Sequence, residues 1–62
     1  MKVGEKVKIT KRTFLNQGIF IFTGSTVEIK DIQSEIATVI YFDKEGHPHD
    51  LQMPLSDLGP LS

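Results

Sequence analysis

The sequence predicts a single all-β domain over residues 1–62, a five-stranded barrel with a long first loop and one 3₁₀ turn before the last strand. Polar and apolar residues alternate with period two in two segments, which is typical of strands that bury one face. A third segment is rich in β-branched and aromatic residues, and isolated glycines separate the segments. A chain of this length buries only about 60% of the surface of its unfolded form, so it has room for one thin core.

The first predicted strand is Lys6–Lys11, whose apolar residues face the core and whose lysines face solvent. Arg12–Gln17 is predicted to be a loop that ends at Gly18, where a positive φ carries no steric cost. The apolar run Ile19–Phe22 is either a strand or one arm of a long hairpin that lies across the mouth of the barrel.

The next two strands are predicted from alternation and from composition. In Thr26–Ile32, Val27 and Ile29 share one face. Ile36–Phe42 is predicted to be the central strand, because four of its seven residues are β-branched. Either its even-numbered or its odd-numbered side chains enter the core. Both choices leave an exposed apolar patch, which marks a partner-binding face unless the long first loop covers it.

The remaining segments complete the barrel. Asp43–Gly46 is predicted to be a hairpin turn, with glycine at the position that needs a positive φ. His47–Met53 is the return strand, and Pro48 places its start at a sheet edge because proline has no N–H to donate. Pro54–Leu58 has room for one 3₁₀ turn, and Gly59–Leu61 for a very short closing strand.

Three segments together resemble an SH3-like small β-barrel over nearly the whole chain: Val3–Ile9, Val39–Lys44 and Leu55–Leu61. The same segments are similar to those of photosystem I subunit IV, the variable chain of ferredoxin–thioredoxin reductase and the small S subunit of the photosynthetic NADH-dehydrogenase-like complex. Those proteins are non-catalytic subunits that dock onto or stabilise electron-transfer complexes. The resemblance therefore implies an accessory subunit with a protein partner.

KOW-type modules share this barrel, and Gly24 loosely matches the glycine of their hairpin. That family binds RNA and ribosomal or transcription partners, so the resemblance implies nucleic acid as an alternative partner. Aromatic residues that stack on bases are present in the chain, but most of them are needed for the core.

A third resemblance, to the type II dihydrofolate reductases, concerns chemistry. It is carried by His47–Pro48 and by Gln52–Pro54, while Asp50 stands where that family has a serine and the family's tyrosine is missing. The family is active as a homotetramer around one pore. The resemblance therefore implies an enzyme only if this chain is also tetrameric.

The net charge is −1, but basic and acidic residues are distributed unevenly along the chain. Residues 1–12 hold five basic side chains and one acidic one, whereas the other fifty residues hold two basic and seven acidic ones. A basic strip of this kind either steers an acidic partner, which is a protein or a phosphate backbone, or serves solubility alone.

Several classes of site are absent from the sequence. With no cysteine, the chain has no thiolate nucleophile, no iron–sulfur ligation and no sulfur-based zinc site. No nucleophile elbow or phosphate-binding glycine loop is present. His47 and His49 share one face of an extended strand, where a nearby carboxylate could serve as a third metal ligand, but nothing closes such a site. The longest apolar runs are too short to cross a bilayer. We expect no catalytic residue, cofactor, bound metal or membrane insertion, and a cytoplasmic location.

These observations together predict a non-enzymatic protein-interaction or accessory subunit, and they leave its oligomeric state open. Its expected partner-binding residues are a basic row for steering and an aromatic face for contact: Lys6, Lys8, Lys11, Phe14, Phe20 and Tyr41.

Overall fold

The computed structural model describes residues 1–61, and it contains no α-helix in that range. Its elements are β1 (Lys6–Ile9), β2 (Phe14–Asn16), β3 (Ile19–Ile21), β4 (Thr26–Gln33), β5 (Ile36–Phe42), β6 (Pro48–Pro54), a 3₁₀ turn (Leu55–Asp57) and β7 (Leu58–Gly59). The predicted all-β class and the 3₁₀ turn before the last strand are confirmed.

Five of the strands form one curled antiparallel sheet, a half-barrel with the order β6-β5-β4-β1-β7. This arrangement is compatible with an SH3-like barrel. The prediction that Ile36–Phe42 is the central strand is wrong, because β4 lies in the middle of the sheet and β5 lies between β4 and β6. Strands β2 and β3 pair only with each other and form a separate hairpin. No helix within residues 1–61 has the length and apolar character that crossing a membrane requires.

The core lies on the concave face of the sheet. Val7 and Ile9 of β1 and Val27 and Ile29 of β4 are buried there, as their alternation predicts. On β5 the odd-numbered side chains enter the core, so the choice that the sequence left open is resolved. The ten buried apolar residues form one cluster: Val7, Ile9, Ile21, Val27, Ile29, Ala37, Val39, Leu51, Met53 and Leu58.

The long first loop contains the β2–β3 hairpin. Its turn is formed by Gln17 and Gly18, with φ of 51° and 82°, the positive values that a tight two-residue turn requires. Ile19–Phe22 is therefore the arm of a hairpin. The prediction of a plain loop over residues 12–17 is wrong at Phe14–Asn16, because these residues become a strand only by pairing with β3.

The hairpin packs on the concave side of the sheet and contributes Ile21 to the core. The convex side of β5 stays exposed, since Ile36 is 43% and Phe42 57% accessible. An ion pair between Lys30 and Asp50, 3.1 Å long, joins β4 to β6 across β5. Both side chains are more than half exposed, so the pair contributes little to stability.

Candidate partner-binding groove

An open groove of about 520 Å³ lies between β3 and the turn that joins β5 to β6. No residue of β2 lines this groove, so it runs along the side of the hairpin that β2 does not cover. Its lining residues are Gly18, Ile19, Phe20 and Phe22 on the hairpin side, and Tyr41, Asp43, Lys44 and Glu45 on the sheet side.

The hairpin side of the groove is aromatic because side chains alternate along β3. Ile21 points into the core and is 1% exposed, whereas Phe20 is 60% and Phe22 54% exposed. Leu15 pairs with Phe20 across the hairpin and is 61% exposed. Three large apolar side chains therefore share the outer face of the hairpin, and two of them line the groove.

The sheet side of the groove begins at Tyr41, the last concave-facing residue of β5. Tyr41 is half-buried and packs against the core cluster. It pairs with His49 on β6, and the two ring centroids are 6.4 Å apart at an angle of 38°. The tyrosine ring is therefore held in place on the sheet.

Asp43 organises the turn next to Tyr41. Its Oδ1 accepts hydrogen bonds from the backbone N–H groups of Glu45 and His47, both at 2.9 Å. Its Oδ2 lies 2.9 Å from His49 Nε2, which donates when that nitrogen carries the proton. The histidine bond, followed by the backbone bond from His47, lowers the pKa of Asp43 from 3.8 to about 2. The turn thus holds a fixed negative charge at the rim of the groove.

The charges of the groove all lie on its sheet side. Asp43 and Glu45 supply two carboxylates and Lys44 one ammonium group, while the hairpin side is apolar. The rim is therefore net negative and faces aromatic rings. Aromatic faces and carboxylates both favour cations, so this arrangement suits an apolar ligand that carries a basic group.

The structure brings together some of the residues that the sequence singled out. Phe20 and Tyr41 line the same groove. Lys11 and Phe14 form a separate contact, in which Lys11 Nζ lies 4.5 Å from the centroid of the Phe14 ring, and that ring packs against the core.

The two remaining lysines of the predicted site lie elsewhere. Lys6 and Lys8 are on the convex side of β1, because their neighbours Val7 and Ile9 face the core. Neither lysine lines the groove, and β4 separates β1 from β5 in the sheet.

Sequence reasoning named two of the eight lining residues, Phe20 and Tyr41, and missed the other six: Gly18, Ile19, Phe22, Asp43, Lys44 and Glu45. The alternation of isoleucine and phenylalanine over Ile19–Phe22 was a usable signal, because it places both phenylalanines on one face of any strand. The acidic residues carried no such signal, since a hairpin turn is commonly charged.

A second groove, of about 510 Å³, lies between the hairpin and the start of β6. It includes His49, whose Nε2 already contacts Asp43, together with Asn16 at the end of β2 and Gln17 of the hairpin turn. His47 Nδ1 lies 3.9 Å from the same Asp43 carboxylate. Over residues 1–61, no three histidine, aspartate or glutamate side chains converge as metal ligands.

The positions that resemble the type II dihydrofolate reductases fall on opposite faces of β6. Gln52 is exposed on the convex side, whereas Met53 is 4% exposed and lies in the core. These two side chains therefore do not face a common surface of one molecule.

No family model, curated protein or solved structure matches this chain.

Proposed function

We propose that this protein is a non-enzymatic interaction or accessory subunit that binds a segment of a protein partner in the aromatic groove. The observation that carries this proposal is the meeting of three aromatic side chains, Phe20, Phe22 and Tyr41, in one open groove. Two of them are more than half exposed in a chain whose core is complete without them. Aromatic side chains of this kind are enriched at protein interfaces.

The resemblance to SH3-like accessory subunits supports the same proposal. Their barrels act by docking, and the curled five-stranded sheet of this chain, with its 3₁₀ turn before the last strand, is compatible with such a barrel. The small interior of the half-barrel also favours a surface site, because side chains fill it.

The proposal is tested with the immobilised protein and an extract of its native cell. We expect wild type to retain a protein partner, and the Phe20→Ser variant to lose at least nine-tenths of that retention. Val3→Ser is the matched control, because Val3 is equally exposed at 60% but lies outside the groove. Equal retention by the two variants would contradict the proposal.

A second candidate function, as a KOW-like nucleic-acid-binding module, rests on the convex side of β1. Lys6 is exposed and Lys8 half-exposed on the same side of that strand, within the basic first twelve residues. Retention on mixed DNA or RNA at low salt, lost in a Lys6→Glu/Lys8→Glu variant, would support this candidate. If wild type is not retained at low salt, this candidate fails.

A further inference from the structure

We infer that the partner segment binds as an added β-strand, paired through its backbone with the free edge of β3. This inference rests on the proposed function and specifies how the groove is occupied. The segment is extended and apolar, and it carries a basic residue that lies beside Asp43 and Glu45.

The backbone N–H and C=O groups of β3 point alternately towards β2 and away from it. Residues of an antiparallel ladder alternate between pairs that exchange backbone hydrogen bonds and pairs whose N–H and C=O groups point away from each other. The two-residue turn makes Asn16 and Ile19 a hydrogen-bonded pair. The next pair, Leu15 and Phe20, is therefore of the second kind. Both the N–H and the C=O of Phe20 point to the free edge of β3.

The same edge extends to Phe22. The alternation directs its N–H to the same side, whereas its carbonyl oxygen accepts bonds from the backbone and side chain of Ser25, at 3.1 and 2.7 Å. Among residues 1–61, no side chain or loop carbonyl accepts a bond from the N–H of Phe20 or Phe22. The edge thus offers two donors and one acceptor to an incoming strand.

This edge opens into the groove. The groove runs along the side of β3 that β2 does not cover, and Phe20 and Phe22, which lie on the outer face of the hairpin, line it. A strand added there hydrogen-bonds to β3 while its alternate side chains contact the two phenylalanines and Tyr41. This mode of recognition combines affinity from the backbone with specificity from the side chains.

The net negative charge on the sheet side of the groove favours extended segments that carry a basic residue. Asp43 and Glu45 outnumber Lys44 there, so the rim carries a net negative charge near neutral pH. A basic residue in the added strand gains from these carboxylates and from the aromatic faces opposite them. An acidic residue at the same position is repelled.

The experiment uses a random library of 12-residue peptides displayed on phage and selected on wild type. We expect enriched peptides to alternate apolar residues, to carry lysine or arginine, and to lack proline in the binding segment. Their affinities are measured by calorimetry against two synthetic proteins, in which a backbone amide is replaced by an ester at Phe20 or at Leu15. The ester removes one N–H and keeps the side chain.

The ester at Phe20 is expected to weaken binding about three- to tenfold, which is the usual contribution of one backbone hydrogen bond. The ester at Leu15 is the matched control, because the N–H of Leu15 points to the opposite edge of the hairpin. A change below twofold is expected there.

Failure of this inference and failure of the proposed function give different results. If Phe20→Ser abolishes binding while both esters bind like wild type, the groove is the site but strand addition is wrong. If no peptide is enriched, or if Phe20→Ser changes nothing, both proposals fall. If enriched peptides bring two copies of the chain together without needing Phe20, the groove is not the site.

A measurement on the peptide keeps the test independent of folding of the ester variants. Successive residues of an enriched peptide are N-methylated one at a time, and binding to wild type is measured. Strand addition predicts that methylation weakens binding at every second residue only, because alternate N–H groups point to β3. Uniform tolerance of methylation would overturn the inference.

Discussion

Within residues 1–61 the two sheets have four outer strand edges, on β2, β3, β6 and β7. The edges of β3 and β6 differ in what they offer to another chain. The edge of β3 presents Phe20, whose N–H and C=O have no partner among these residues, beside a groove. The edge of β6 is longer, with seven residues against three, but its sequence begins with Pro48 and ends with Pro54.

The positions of the two prolines follow from the pairing of β5 and β6. Asp43 N–H donates to His47 at 3.0 Å at one end of this ladder, and Leu55 N–H donates to Glu35 at 2.8 Å at the other. Both hydrogen bonds fit a single antiparallel ladder, in which successive residues of β6 point their backbone groups alternately towards β5 and away from it. The even-numbered residues of β6 are those whose backbone nitrogens point away from β5, to the free edge.

Two of these four even-numbered positions are Pro48 and Pro54, which have no N–H. Only Asp50 and Gln52 remain as donors on this edge. Proline is a known means of blocking an edge against unwanted pairing. The seven-residue edge of β6 is therefore largely blocked to pairing, whereas the three-residue edge of β3 keeps its donors and lies beside aromatic side chains.

We expect the greatest loss of stability from a change at Ile21, which attaches β3 to the core. Ile21→Ala removes the one fully buried side chain of β3 and should lower the free energy of unfolding by about 3 kcal/mol. Phe20→Ala, one residue away but exposed, should cost less than about 1 kcal/mol. Urea denaturation measures both. Equal losses would show that the hairpin is not anchored through Ile21.

The role of Pro48 and Pro54 in blocking the edge of β6 is tested by replacing them. Replacing Pro48 with valine and Pro54 with threonine restores two outward N–H groups, and we expect the double variant to self-associate at concentrations where wild type does not. Light scattering after size-exclusion chromatography measures this. Pro60→Val is the control, because Pro60 lies outside β6. If the double variant behaves like wild type, the prolines do not guard this edge.

The turn that supports the groove is expected to lose stability at low pH. Because folding lowers the pKa of Asp43 to about 2, its contribution to stability is present above about pH 4 and is lost as the pH falls towards 2. The difference in Tm between wild type and Asp43→Asn should therefore be largest above pH 4 and shrink below it. A difference that stays constant down to pH 2 would contradict this account of the turn.

The smallest effect is expected on the convex side of β1. Lys6→Glu/Lys8→Glu should change the affinity for groove-binding peptides less than twofold at moderate salt, because neither lysine lines the groove. The matched change inside the groove, Lys44→Glu, should strengthen binding of a basic peptide. If reversal at Lys6 and Lys8 weakens binding more than tenfold, the basic row is part of the same site.

The sequence predicts the sheet well because its signals are local. The alternation in β1 and β4 places Val7 and Ile29 in the core without further information. On β5 both faces are apolar, so the sequence pattern does not predict which face is buried. Only the pairing of β5 with β4 and β6 determines that Ala37 and Val39 enter the core.

The site is harder to predict because it depends on contacts between distant segments. The groove joins Phe20 to Tyr41, which are brought together only when the hairpin packs on the sheet. The outward direction of Pro48 and Pro54 depends on the register of a ladder, and one residue of slip would reverse it. Such features follow from the assembled fold and not from residue type.

Amide hydrogen exchange followed by NMR observes the edges of β3 and β6 in one sample, and so tests whether β3 is the docking edge. On addition of a saturating library-selected peptide, exchange at the Phe20 and Phe22 N–H groups should slow at least tenfold, while exchange at Asp50 and Gln52 stays unchanged. Unchanged exchange at Phe20, or protection at Asp50 and Gln52 instead, would contradict the claim that β3 is the docking edge.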